Sequence, residues 1–307
     1  MNIKRSDIEI MAPVGCMESL HAAIAAGADA IYFGVGVLNM RARSSVNFTL
    51  DDLAEIVRTA HEANVKTYLT VNTILYDNEM EDMRAIIDRA AAEGVDAIIA
   101  ADVAAIMYAR EKGVEVHIST QCNISNISAV EFYAQWADVV VLARELSLEQ
   151  IAYISQQIEE RDIRGPKGER VRIEMFAHGA LCMSISGKCY LSEHEEHCSA
   201  NRGACRQICR RKYLITDIQT GRELTVDGRY VLSPKDLCTV DFLDKFIGAG
   251  VRVLKIEGRA RGAEYVKAVV SCYNEAIEAH LSNTFTDEKV ADWDVRLAKV
   301  FNRGFWD

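Results

Sequence analysis

Short apolar runs rich in β-branched residues alternate along this chain with longer stretches whose apolar positions recur every three or four residues. Eight runs read as strands: 8–13, 29–35, 66–72, 96–102, 115–120, 138–143, 172–179 and 252–258. The stretches 19–28, 52–65, 80–95, 103–114, 128–137 and 147–162 read as helices between them, several closing on a C-cap glycine such as Gly27, Gly94 or Gly113. Strands apolar on both faces need cover on both sides. Eight of them with a helix after each predict an α/β fold, a (β/α)8 TIM-like barrel. An open doubly wound sheet is the second choice.

The rhythm breaks after the seventh strand, where roughly sixty residues precede the helical pattern at 239–250. The barrel is therefore expected over 1–285, with a cysteine-rich insertion at 178–236. Within that insertion 212–226 reads as a β-hairpin turning at Thr220-Gly221. In a barrel the loops after the strands form the reactive face, so the insertion is expected to hang over the site. After the closing helix at 262–281, residues 286–307 read as a C-terminal tail. Its abrupt aromatic end suggests truncation before a further small domain.

Half of the 307 residues are hydrophobic, enough for a large core. Apolar runs stay well short of a membrane span, so no membrane partner is expected and the reading is cytoplasmic. A net charge of -10 argues against a protein that coats nucleic acid nonspecifically. One local basic patch, Arg206, Arg210 and Arg211, remains a candidate for RNA phosphate.

Five of nine cysteines and three of seven histidines fall between 178 and 211. In a reducing compartment such crowding points to metal or redox chemistry rather than a disulfide framework. Cys182 and Cys189 flank a Ser-Gly bend, and Cys205 and Cys209 lie one helical turn apart. Two such pairs can supply the four soft ligands of an iron-sulfur cluster or a structural zinc. The tight two-residue gaps usual for zinc are missing, which tilts the reading toward a cluster, and the neighbouring arginines would offset its negative charge. Cys198 and Cys238 are further ligand candidates. Cys16, Cys122 and Cys272 are expected to be small buried hydrophobes, and His194 and His197 to be solvated.

Polar residues at the strand ends are the first candidates for catalysis: Arg41, Arg43, Asn72, Gln121, Arg144, Glu174, His178, Glu257 and Arg259. Arg41 and Arg43 would clamp a carboxylate or phosphate, each charge-assisted bond contributing about 1.5 to 3 kcal/mol. Lys255, Glu257 and Arg259 alternate along the last strand as a candidate internal ion network. The glycines of 34–40 lack dinucleotide spacing.

Residues 174–192, through Glu174, Phe176, Gly179, Ala180, Cys182, Gly187, Cys189 and Ser192, match each fixed position of the collagenase-like peptidase family U-32 signature. The segments 11–35, 201–210, 233–238 and 255–261 resemble that family in order and placement, so the likeness spans almost the whole chain. Longer members continue into a small β-domain. The family name implies proteolysis, yet no Ser-His-Asp, Cys-His or zinc-protease pattern is discernible. Other branches resemble oxygen-independent hydroxylation proteins carrying a 4Fe-4S cluster on four cysteines. They modify a tRNA wobble uridine, a ribosomal cytidine or a quinone precursor, and the tRNA branch is associated with prephenate as hydroxyl source.

The resemblance implies Cys182, Cys189, Cys205 and Cys209 as cluster ligands; the quinone branch takes its fourth ligand further on, which keeps Cys238 in reserve. The expectation is an iron-sulfur protein hydroxylating an RNA base, tRNA wobble uridine foremost, with a prephenate-like dicarboxylate donor. A collagenase-like peptidase is the first alternative and a zinc-stabilised docking module on an inert barrel the second. A homo- or hetero-oligomer is compatible with each.

Overall fold

All eight apolar runs form strands of one parallel sheet. In the computed structural model, which describes residues 3–42, 48–224 and 232–305, these are β1 (Glu9–Pro13), β2 (Ala30–Phe33), β3 (Lys66–Val71), β4 (Ala97–Ala100), β5 (Glu115–Ile118), β6 (Val139–Val141) and β7 (Arg172–Gly179). Three short strands of the insertion follow, β8 (Ile215–Thr216), β9 (Glu223–Leu224) and β10 (Leu237–Cys238), and then β11 (Val251–Ile256). Neighbours from β1 to β7 pair in chain order, β7 pairs with β11, and β11 pairs with β1. The ring is closed, which sets the open-sheet alternative aside. Closure leaves the eight barrel strands without an edge.

Helices α1 (Met17–Ala25), α2 (Leu53–Glu62), α3 (Met80–Glu93), α4 (Val103–Glu111), α5 (Ile127–Ala134) and α6 (Leu148–Glu160) occupy the predicted connections. In α2 the buried positions Leu53, Ile56, Val57 and Ala60 make the one-sided stripe that faces the sheet. Gly94 ends α3 in the left-handed conformation, as a C-cap glycine should. The insertion carries α7 (Leu191–Glu196), after which come α8 (Leu243–Gly248), the long α9 (Ala263–Leu281) and α10 (Asp287–Ala298).

Two apolar compartments result. The larger lies between sheet and helices. The smaller fills the barrel lumen with Met11, Ala30, Tyr32, Tyr68, Ala97, Ile99, Val139 and Val253, side chains projecting inward from alternate strand positions. The lumen is therefore packed at its waist, and polar chemistry is confined to its two ends and to a few charged side chains that thread between them.

The β8–β9 hairpin forms where expected, with Asp217 accepting from the amides of Gln219 and Thr220; the end of the predicted 212–226 segment lies outside the described residues. β10 returns the insertion antiparallel to β7, Cys238 opposite His178. The tail is more than an extension. Trp293 and Leu297 of α10 are buried, Trp293 donates to Glu275 of α9, and Phe305 bridges to Asp236, which also accepts from Arg303 at 3.0 Å. Apolar burial explains why this segment folds back onto the barrel. Among the described residues no helix is long and apolar enough to cross a membrane.

Candidate active site at the barrel mouth

At the C-terminal ends of the strands a cavity of about 160 Å³ lies between the barrel and the insertion. An engineered cavity of about 150 Å³ admits benzene, so this one has room for a six-membered ring. Its floor is Tyr32, Thr70, Lys255, Glu257 and Arg259, its wall Arg41, Asn72, Gln121 and Arg144, and its roof the cysteine segment. Among the described residues five cationic side chains, Arg41, Arg144, Arg210, Lys255 and Arg259, face it against one carboxylate, Glu257.

The floor is a connected network. Arg41 donates to Glu257 Oε1, and the Tyr32 hydroxyl reaches Glu257 Oε2 at 3.3 Å. Burial alone would raise the Glu257 carboxyl, but the charges of Arg41 and Arg259, with the Arg41 hydrogen bond, hold it below the ordinary carboxylate range. The same pairing holds the Arg41 guanidinium above its ordinary value. Arg259 donates to Asn39 Oδ1 at 3.1 Å and Thr70 Oγ1 at 3.0 Å, and burial brings it down to about 10. Lys255 donates to Glu174 Oε1 at 2.6 Å beneath the Tyr32 ring.

Two predicted residues serve as anchors. Asn72 accepts from the Met40 amide and donates to Ser119, fixing the loop that carries Arg41. Arg144 donates to Ser186 Oγ at 2.6 Å and to the Ser184 carbonyl, holding the 182–189 loop over the mouth. The other half of the insertion is clamped by Arg202, which pairs with Glu79, donates to the Ile74 carbonyl and stacks on Tyr76 at 4.0 Å. Gly203 sits at φ +73°, and a Cβ there would stand 2.2 Å from the Asn39 carbonyl oxygen; only glycine fits this approach. Ser192 accepts from the Arg206 amide and so sets the start of the Cys205 segment.

Cys182, Cys189, Cys205 and Cys209 all line this cavity. Burial raises the Cys209 thiol, and Cys182, Cys205 and Cys189 add to the rise against the opposing charge of Arg210. The four thiols line one cavity, and among the described residues no three His, Cys, Asp or Glu side chains are grouped to hold a metal ion. Four soft donors facing one cavity, with an arginine beside them, fit a multi-atom iron-sulfur cluster in donor chemistry.

Other candidates lie elsewhere. Cys198 and Cys238 are buried but do not face the cavity; Cys238 packs against Tyr273, and burial pushes its thiol up to about 12. Cys272 is buried as expected, whereas Cys16, at the start of α1, and Cys122, in the turn after β5, are half-buried, Cys122 packing against the core. His178 is enclosed by Tyr265, Tyr273 and Phe305 away from the cavity, and burial lowers it to about 3. Glu174 is wholly buried and meets the cavity only through Lys255. Arg43 lies outside the described residues. Of the basic patch, Arg210 faces the cavity while Arg206 and Arg211 both pair with Glu196, which halves their value as a phosphate surface. His194 is largely exposed. Tyr32, Thr70 and Ser119 were missed by sequence reading; their strand phase, the same as that of Gly34, Asn72 and His117, was the available signal.

A barrel with cationic floor and a four-cysteine roof defines a class, and comparison with known proteins gives the family. The chain belongs to Peptidase family U32, whose model matches residues 15–307. It is 59% identical over 307 residues to a collagenase of Porphyromonas gingivalis, covering all of this chain and 74% of that protein. It is 34% identical to a tRNA hydroxylation protein of Bacillus subtilis, covering 96% of this chain and 69% of that one. A 23S rRNA 5-hydroxycytidine synthase of Escherichia coli is 37% identical over 280 residues, 91% of this chain and 40% of its own length.

Proposed function

We propose that this chain is an iron-sulfur enzyme that takes part in oxygen-independent hydroxylation of an RNA base, tRNA wobble uridine foremost, with a prephenate-like dicarboxylate as donor. The carrying observation is that four cysteines from two separate pieces of the insertion face the same cavity as the Arg41, Glu257 and Arg259 network. Relatives named for tRNA and rRNA hydroxylation support it.

In this reading Cys182, Cys189, Cys205 and Cys209 hold the cluster, which supplies redox chemistry when bound. Arg41 and Arg259 receive the donor's carboxylates, and Glu257 keeps Arg41 extended into the mouth. Tyr32 and Phe176 give the ring an apolar floor beside the Lys255 ammonium. Arg144 and Arg202 hold the roof down, which limits water at the reacting atoms. Arg210 offsets thiolate charge. A base would have to leave its stack to meet this mouth, so base flipping or a single-stranded loop is the natural mode of entry.

Anaerobic purification is expected to yield brown protein with about four irons per chain, lost in Cys182→Ala or Cys205→Ala and kept in Cys238→Ala. Nucleosides from cells with and without the gene should differ by one hydroxylated base; identical profiles refute the RNA reading. One zinc per colourless chain would favour the docking module.

The collagenase relative favours peptidase activity as a second reading. Among the described residues no histidine lines the cavity, so a Cys-His nucleophile has no partner there. Gelatin cleavage by wild type and its loss in a folded Cys182→Ala variant would establish the peptidase.

A further inference from the structure

A line of ionisable side chains crosses the barrel from the mouth cavity to its opposite end. Lys255, 6% exposed and facing the cavity, donates to Glu174 Oε1 at 2.6 Å. The other carboxylate oxygen, Glu174 Oε2, faces His117 Nδ1 at 3.8 Å. His117 Nε2 lies 3.3 Å from Glu115 Oε1, and Glu115 accepts from Lys167 at a polar hollow formed by the N-terminal strand ends. Glu174 and His117 are both fully buried, and the two atoms that face each other have no hydrogen-bond partner.

Two polar atoms left unpaired in a packed lumen are destabilising. Leucine or valine would fill the same volume at no such penalty. Their mutual orientation gives the charge pair a use: a shift of about 1 Å closes the gap to hydrogen-bond range. We infer that Lys255, Glu174, His117 and Glu115 form a proton path along the barrel axis, making Lys255 a proton donor or acceptor that is recharged from the solvent at the far end. This rests on the reading that the mouth cavity holds the reaction. Substrate and roof would close that cavity to water, and the lumen offers Lys255 a second route.

The balance is simple. One proton leaves the Lys255 ammonium for an anionic atom of the bound substrate. Glu174, a carboxylate at rest, takes the proton carried at His117 Nδ1 and hands it on to Lys255, and His117 is reprotonated at Nε2 from water through Glu115; each residue ends as it began. Other charged groups face the chain. Glu257 lies beside Lys255, with Arg41 and Arg259 paired or stacked around it. Tyr68 stacks on His117 at 4.5 Å and donates to Glu9, which holds Lys66 and Arg172.

The test reads coupling without turnover. Exchange of the His117 ring N–H with deuterated water is followed at a single pH in isotope-labelled protein, the signal being assigned by its loss in His117→Gln. On the path, Glu115→Gln should slow that exchange at least tenfold while the fold persists, and Glu115→Asp, which keeps the carboxylate, should restore it. Exchange indifferent to Glu115→Gln in the folded protein overturns the path. An intact coupling beside an unchanged nucleoside profile would instead retire the RNA reading and leave the path standing.

Discussion

Replacing Glu257 by Gln keeps the volume and an acceptor for Arg41 but removes the one carboxylate facing the cavity. The Arg41 and Glu257 side chains are 24% and 16% exposed, between the surface and interior regimes. Exposed pairs contribute about 0.2 to 1 kcal/mol, and breaking a fully buried pair costs about 3 to 5. With Tyr32 still able to donate, a loss of about 2 kcal/mol at pH 7 is the reasoned value. The linkage has a definite sign. Because the folded Glu257 carboxyl lies below its ordinary value, its contribution is full above about pH 4.3 and is lost as pH falls through the folded value. Urea unfolding of wild type and Glu257→Gln at pH 7, and in steps below about pH 4.3, should show a gap that narrows with acidification. Equal stability at pH 7, or a gap that widens as acid is added, would refute the assignment of this network as a partly buried charge pair.

Acid should act through His178 with the same sign but from a different cause and in a higher pH window. Held neutral at about 3 by burial, it favours the unfolded chain increasingly as pH drops below about 6.5, so His178→Phe should flatten the acid limb of a stability curve. The bound is about 5 kcal/mol, and an unchanged limb in a folded variant argues against it. Gly34→Ala would bring a Cβ within 2.6 Å of Arg259 Nη1 and of Asn39, displacing the floor arginine; donor-carboxylate binding measured by calorimetry should weaken at least tenfold while the fold persists. Arg202→Ala removes the clamp to Glu79, Ile74 and Tyr76, and limited proteolysis should then cut the 182–211 segment several-fold faster, with iron loss following.

How much was legible differs by distance along the chain. The eight strands, their helices and the cysteine insertion are written in local periodicity, because a strand buried on both faces and a helix with one apolar stripe leave their marks within ten or fifteen residues. The strand-end positions of Arg41, Asn72, Arg144, Glu257 and Arg259 followed from barrel geometry alone. What they do did not. Arg144 and Asn72 are anchors because of partners 42 and 47 residues away, Ser186 and Ser119. Spacing paired Cys205 with Cys209 and left Cys198 a further candidate; closure of the insertion turns the one toward the cavity and buries the other away from it.

By itself, then, the sequence determined the barrel, the place of its interruption and the gathering of thiols, since these depend on the nearest neighbours of each residue. Tertiary structure decided which charges meet. Glu196 pairs with both Arg206 and Arg211, and Glu174 takes Lys255 from 81 residues away and stands opposite His117. Pairing of that kind depends on ring closure and side-chain phase across the lumen, and electrostatic energy follows distance in space rather than separation along the chain.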